Sequence, residues 1–308
     1  MSRFSDPRWD DSRDRPTHGR GGTESDPRES TARDPRDVFT RDLDLPRGRD
    51  RELVDVGDDT VRLRGSEART LATVGAFRIV PIDDLRDDAG KSGDMRHGDI
   101  EHLRSEGLLE HVASVDRETG TAFVTLTDRG REVLETHRSR DDDARAQAFH
   151  AGVSRPREMV HDAQVYRAYL KAAERLERDE ARIQRVVLEH DLKREYQRFL
   201  QEPNRGRRDS DGRPGRDAEE IRRWAEEHDL RCVDGRVQFP DLQIEILWPD
   251  DRRDVENVEV LTPHYRGAHT SGKVSAGFKT YRFSGGRVGG RTGRAGRFDV
   301  GLAEELLR

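Results

Sequence analysis

The sequence contains very little cysteine and few apolar residues. Cys232 is the only cysteine, which excludes an intramolecular disulfide and any metal centre built on several thiolates. Only 31% of the residues are hydrophobic and 6% are aromatic, whereas a globular domain carries nearer half apolar residues. We therefore expect part of the chain to be disordered and the folded part to have a modest core.

Long apolar runs are also missing. No stretch approaches the roughly 20 apolar residues that a membrane span needs. The first charges at the N-terminus are not followed by an apolar run, so a secretory signal is not expected. These absences predict a cytoplasmic protein that makes no membrane contact.

Charge, in contrast, is abundant but balanced, because 39% of the residues are charged and the net charge is −6. Binding to nucleic acid must therefore come from local patches. Residues 1–58 mix both signs around repeated Asp-Pro-Arg tripeptides, and apolar residues such as Phe39 and Leu43 are too scattered to make a core. We predict a disordered tail here; a tether that folds on a partner through residues 37–40 is the alternative.

Residues 59–138 show helical and strand periodicity in a recognisable order. Three helices are predicted, across 66–77, from Pro81 and across 99–104; two strands and a fourth helix capped by Thr127 follow. This order predicts a winged helix-turn-helix. The run 126–134 is similar to the segment after the wing in MarR-like regulators.

Several basic residues of this module are candidates for DNA contact. The third helix fits the major groove, where arginine reads guanine edges or clamps phosphates. The predicted DNA-binding residues of the module are Arg96, His97, His102, Arg104, Arg117 in the wing, Arg129 and Arg131. Asp99 and Glu101 lie on the same helix, which keeps open a purely structural or protein-interaction role.

A charged connector, residues 139–160, precedes a second domain predicted over 161–284. That domain reads as helix, strand, helix, a flexible insertion at 203–216, a further helix, a strand hairpin and a last helix from Lys273 to Tyr281. A Gly/Arg-rich segment, 285–308, ends the chain. Its arginines are predicted to neutralise phosphates without sequence preference, namely Arg291, Arg294 and Arg297.

The hairpin of the second domain resembles the PD-(D/E)xK nuclease core. Pro240-Asp241 precedes one strand and Glu259 lies in the next. In the chemistry of that core, two carboxylates bind Mg²⁺ and a lysine orients the attacking water. Asp241 with Glu259 forms a weak candidate metal site, and the further candidate catalytic residues are Glu245, Glu189, Lys273 and Lys279.

The sequence departs from the nuclease pattern at the lysine, because Leu261 occupies the position where the motif has lysine. Only a relocated Lys273 or Lys279 could substitute for it. We therefore predict little or no nuclease activity and no cofactor, with Mg²⁺ required only if the site is active.

The chain as a whole resembles the replication-relaxation family of plasmid and conjugative-element proteins. The resemblance rests on the winged-helix segments, on His161-Asp162, on the run 188–195 and on Phe239-Pro240-Asp241. It implies an α+β protein in which a winged helix precedes a restriction-endonuclease-like α/β domain. It also implies an accessory role in plasmid mobilisation or replication, with double-stranded DNA and a relaxase or another mobilisation protein as partners. An active Mg²⁺-dependent endonuclease and a protein-interaction scaffold without direct DNA binding are the alternatives.

Overall fold

The computed structural model describes most of the chain between residues 37 and 282. The described ranges are 37–85, 97–112, 122–139, 146–153, 158–206, 215–261, 273 and 275–282. They all fall in one compact unit, Asp34–Arg308, while a second unit, Met1–Arg33, lies outside them. Helices and strands both contribute, as expected of an α+β protein.

Within these ranges the helices are α1 (Gly65–Phe77), α2 (His97–Ser105), α3 (Asp128–Thr136), α4 (Met159–Arg178), α5 (Glu189–Gln201) and α6 (Ala218–Glu227). The strands are β1 (Glu52–Val56), β2 (Asp59–Leu63), β3 (Val80–Pro81), β4 (Leu109–Val112), β5 (Phe123–Leu126), β6 (Arg182–Leu188), β7 (Cys232–Val233), β8 (Arg236–Val237), β9 (Leu242–Leu247), β10 (Arg253–Leu261) and β11 (Lys279–Arg282).

The second part of the predicted tail is ordered, which corrects the expectation for residues 37–58. Strands β1 and β2 form an antiparallel hairpin around Gly57, whose φ is +57°. Phe39 is buried, and its ring centroid lies 5.5 Å from those of Phe77 and Tyr169. The prediction was wrong because the partners of these scattered apolar residues come from helices far along the chain.

Residues 65–136, which we call the helix–strand unit, contain α1 to α3 and a small antiparallel sheet of order β3-β5-β4. Thr127 caps α3 as predicted, since its side chain accepts a hydrogen bond from the Gly130 N–H. The helix predicted from Pro81 is observed as one 3-10 turn, Ile82–Asp84, and residues 86–96 lie outside the described ranges.

A larger sheet of order β11-β10-β9-β6 forms the second half. Strands β6, β9 and β10 are antiparallel, whereas β11 runs parallel to β10. Helix α4 covers one face, where Leu242, Ile244 and Ile246 join Tyr166 and Tyr169 in the core. This face was predicted from the alternation along β9.

Two predicted boundaries differ from the structure. The helix predicted from Lys273 to Tyr281 ends early, because β11 begins at Lys279 and pairs with β10. The predicted connector is packed where it is described: Phe149 is buried, and Gln147 both accepts a hydrogen bond from the Val186 N–H and donates one to its carbonyl.

One hydrophobic cluster therefore runs from the helix–strand unit through the connector to the larger sheet. The ion pair between Asp84 and Arg167 of α4 joins the same two halves at 2.5 Å. The halves predicted as separate domains share a core within the described residues. Of the predicted insertion, residues 207–214 lie outside the described ranges, and Arg216 stacks over the Phe199 ring.

Candidate functional site

The exposed side of α2 carries Arg104, the best-placed of the predicted DNA-binding residues. Ile100 and Leu103 turn one side of α2 into the core, and Glu101 and Arg104 are exposed on the other. Arg104 forms no ion pair with any described residue. Its guanidinium is therefore available to a ligand.

The other predicted DNA-binding residues whose side chains the structure describes are engaged with protein groups. His102 Nε2 lies 2.8 Å from the Arg62 carbonyl oxygen. Arg129 pairs with Asp59 at 2.6 Å, and Arg131 pairs with Asp128 at 3.2 Å. Both arginine pairs are solvent-exposed, and such pairs contribute about 0–1 kcal/mol, so a phosphate can compete for either arginine.

Of the remaining predicted DNA-contact residues, His97 begins α2 but its side chain is not described. The others lie outside the described ranges: Arg96, Arg117, Arg291, Arg294 and Arg297.

The second candidate site lies at the start of β9, where Asp241 is nearly buried. One carboxylate oxygen of Asp241 accepts a hydrogen bond from the Val260 N–H at 2.7 Å. The other lies 3.2 Å from Nε2 of His161, in the first turn of α4. Burial works against a charged His161, but its hydrogen bond to Asp241 and the nearby charges of Asp241, Asp162 and Glu259 prevail and raise the pKa of His161 to about 8.

Lys273 completes this site. Its ammonium lies 2.9 Å from an oxygen of Glu259 and also donates to the Phe239 carbonyl. Glu259 is 0% exposed and Lys273 only 9%. Lys273, one of the two candidates for a relocated lysine, is thus paired with Glu259. We call His161, Asp241, Glu259 and Lys273 the acid–lysine network.

The other candidate acids and the second lysine do not join the network. Glu245 pairs with Arg185 and Glu189 with Lys193, each at 2.7 Å. Only the backbone of Glu189 reaches the network, through its N–H to the Asp241 carbonyl.

Lys279 is turned to the opposite face of the sheet. It pairs at 2.6 Å with Glu256, which also contacts Arg175 of α4. Glu256 lies three residues before Glu259 on β10, and side chains alternate along a strand. The two glutamates therefore lie on opposite faces, and Lys279 is no substitute for Lys273.

The acid–lysine network does not fit a ready-made Mg²⁺ site. Mg²⁺ requires several oxygen ligands in a nearly octahedral arrangement. Here both oxygens of Asp241 have partners and Glu259 is held by Lys273. Every charge of the network is neutralised by another protein group, so a cation would have to displace one of them.

His150, His190 and Asp191 form a further cluster that the sequence analysis does not predict. His150 lies in the predicted connector and is 40 residues from His190, a separation that carries no metal-binding signal. Only the folded chain brings them together.

Comparison of the chain with protein-family models, with curated proteins and with solved structures finds no match. Within the described ranges, none of the helices has the length and apolar character needed to cross a membrane.

Proposed function

We propose that the protein binds double-stranded DNA through the helix–strand unit and acts as an accessory protein of a mobile genetic element. The observation that carries the DNA-binding part is the position of α2. This helix rests on the core with one side, exposes Arg104 on the other and leads directly into β4. A helix about 10–12 Å across fits the major groove in this way.

The charges of the unit support binding that is local and sensitive to salt. The whole chain is acidic, with a net charge of −6, so its net charge supplies no long-range attraction to DNA. Arg129 and Arg131 are held only by exposed pairs. Contacts of this kind weaken steeply as salt rises, because each neutralised phosphate releases counterions.

The mobile-element setting rests on the resemblance to the replication-relaxation family. It implies plasmid mobilisation or replication as the process and a relaxase or another mobilisation protein as the partner. The genes beside this one test that setting: neighbouring genes for a relaxase or a coupling ATPase support it, and their absence from related gene clusters contradicts it.

We assign the acid–lysine network a structural role within this proposal. Its carboxylates are satisfied by Lys273, His161 and the Val260 N–H. Such a network holds together the start of β9, the last residues of β10 and the first turn of α4. A nuclease needs carboxylate oxygens that are open to a cation and to the scissile phosphate.

A Mg²⁺-dependent endonuclease is the second candidate function, and one observation favours it. Lys273 stands beside Glu259, so the residue types of the nuclease motif are all present in one place. The closed pairing of the carboxylates, rather than a missing lysine, is therefore what opposes nuclease activity.

The DNA-binding proposal is tested by titrating labelled duplexes with the full-length protein at several salt concentrations. Fluorescence anisotropy should report binding that weakens as salt rises. Arg104→Ala should weaken binding at the preferred site by roughly 1–3 kcal/mol. Arg236→Ala, at an exposed position of β8, is the matched control and should bind as the wild type does.

Two outcomes would contradict this proposal. The first is a wild-type protein without affinity for any duplex at low salt, which would favour the protein-interaction scaffold. The second is an equal effect of Arg104→Ala and Arg236→Ala, which would remove α2 from the interface.

A further inference from the structure

The cluster of His150, His190 and Asp191 lies where residues 146–153 pass the start of α5. His150 is half-buried, His190 is exposed and Asp191 is only 8% exposed. One potential ligand atom from each residue can be chosen so that all lie within 4.8 Å of one another. Among the described residues, this is the one group of three or more histidine, cysteine or acidic side chains whose potential ligand atoms lie this close together.

The polar atoms of the cluster converge on the Asp191 carboxylate. His150 Nε2 lies at ion-pair distance, 3.0 Å, from one oxygen of Asp191, but no well-aligned hydrogen bond satisfies that nitrogen or either Asp191 oxygen among the described residues. Buried polar atoms are rarely left in this condition. Lone pairs that converge in this way are suited to a shared cation.

The distances agree with such a cation. Ligand atoms around a tetrahedral zinc ion, at bonds near 2.0–2.2 Å, lie about 3.3 Å apart. His150 Nε2 lies 3.0 Å from Oδ2 of Asp191 and His190 Nδ1 lies 3.6 Å from Oδ1, so each imidazole approaches a different oxygen of the carboxylate. The Arg194 guanidinium, 3.2 Å from Asp191, is more than half exposed and can turn into solvent.

The backbone holds both parts of the cluster in place. The His150 N–H donates to the Gly75 carbonyl of α1, and the Gly152 N–H donates to the Leu126 carbonyl of β5. On the other side, the Glu189 N–H donates to the Asp241 carbonyl. Ligands on anchored backbone lose little freedom when an ion binds, which favours affinity.

We propose that His150, His190 and Asp191 bind one divalent cation of the zinc class. Two imidazole nitrogens and one carboxylate select Zn²⁺ or a similar transition metal over Mg²⁺ and Ca²⁺, which prefer oxygen ligands alone. The ion links residues 146–153, which are anchored to the helix–strand unit, with the start of α5. A fourth coordination position stays open to water or another ligand. This site is separate from the acid–lysine network and does not depend on DNA binding.

The test uses the full-length protein after removal of metal with a chelator. Isothermal titration with Zn²⁺ should show one tight site, and added Zn²⁺ should raise the thermal midpoint because the ion binds only the folded chain. Co²⁺ should give an absorption spectrum typical of nitrogen and oxygen ligands.

His190→Ala is the main variant, because His190 is exposed and its loss should leave the fold intact. This variant should lower Zn²⁺ affinity at least about tenfold. A loss of that size is already expected when a residue that only supports a ligand is removed, and His190 is itself a proposed ligand. Asp191→Asn should do the same. His111→Ala, another exposed histidine, is the control and should bind Zn²⁺ as the wild type does.

The proposal is overturned if the metal-free protein does not bind Zn²⁺. It is also overturned if His190→Ala and Asp191→Asn bind Zn²⁺ as tightly as His111→Ala does. Equal affinity for Mg²⁺ and Zn²⁺ would contradict the assignment of the cation class.

Discussion

In the helix–strand unit, Arg104 and Arg129 lie at the surface with no partner among the described residues or a loose one, whereas Asp241, Glu259 and Lys273 of the acid–lysine network at the larger sheet are buried. Arg104 is exposed, and the pair of Arg129 with Asp59 is more than one-third exposed on each side. Glu259 and Lys273, in contrast, are buried against each other. Similar residue types therefore serve different purposes: the exposed charges are free to meet a ligand, and the buried ones stabilise the fold.

The largest effect that separates the two regions is expected at Lys273. Lys273→Met leaves Glu259 buried without its cation, which should lower the free energy of unfolding by about 3–5 kcal/mol. Lys193→Met is the matched control, because the Lys193–Glu189 pair is substantially exposed and its loss should cost less than about 1 kcal/mol. Urea denaturation of the two variants measures both values.

The double variant Lys273→Met/Glu259→Leu sharpens this test. Removing both charges leaves no unpaired ion, so most of the lost stability should return. Equal, small losses in the two single-lysine variants would show that the network contributes little to the fold.

A smaller effect is expected from pH, through His161. Its pKa is about 8 in the folded protein against an ordinary 6.5. The stabilisation that protonated His161 gives the folded protein is complete below pH 6.5. It is lost as the pH rises through about 8, because the folded state then releases the proton from His161. The shift corresponds to about 2 kcal/mol at most.

Urea denaturation between pH 6 and pH 9 measures this loss. His161→Gln removes the titrating group but keeps a donor for Asp241, so its stability should change less over the same range. A slope as steep in His161→Gln as in the wild type would assign the pH dependence to another group.

The smallest effect on stability is expected at Arg129. Arg129→Ala breaks an exposed pair and should change the free energy of unfolding by less than about 1 kcal/mol. If Arg129 contacts a phosphate, the same variant should weaken DNA binding evenly across sequences and lower the salt slope by about 1. Anisotropy at several salt concentrations measures both quantities, and an unchanged slope would remove Arg129 from the interface.

The local parts of the sheet site could be predicted from the sequence. Alternation along β9 predicts that Leu242, Ile244 and Ile246 share one face, as observed, and the hairpin places Glu259 in the next strand. These features depend only on neighbouring residues. The partners could not be predicted in the same way, because His161 comes from a helix 80 residues earlier and Lys273 from beyond the hairpin.

Two errors have different physical origins. The tail boundary at residue 58 falls inside the β1–β2 hairpin, although alternation on both sides of Gly57 is a local signal that the sequence carries. Lys279 is predicted in a helix, but pairing with β10 places it in a strand. In that second case a tertiary contact decides the local conformation, which the periodicity of one short segment does not reveal.

The most direct test of the account is an assay with supercoiled plasmid DNA, the full-length protein and Mg²⁺ or Mn²⁺. Retention in an agarose gel and the integrity of the plasmid are read from the same sample. We predict that the wild-type protein retards the plasmid and leaves it supercoiled. Metal-dependent nicking that disappears in both Asp241→Ala and Glu259→Ala would contradict the structural role of the acid–lysine network and establish an endonuclease.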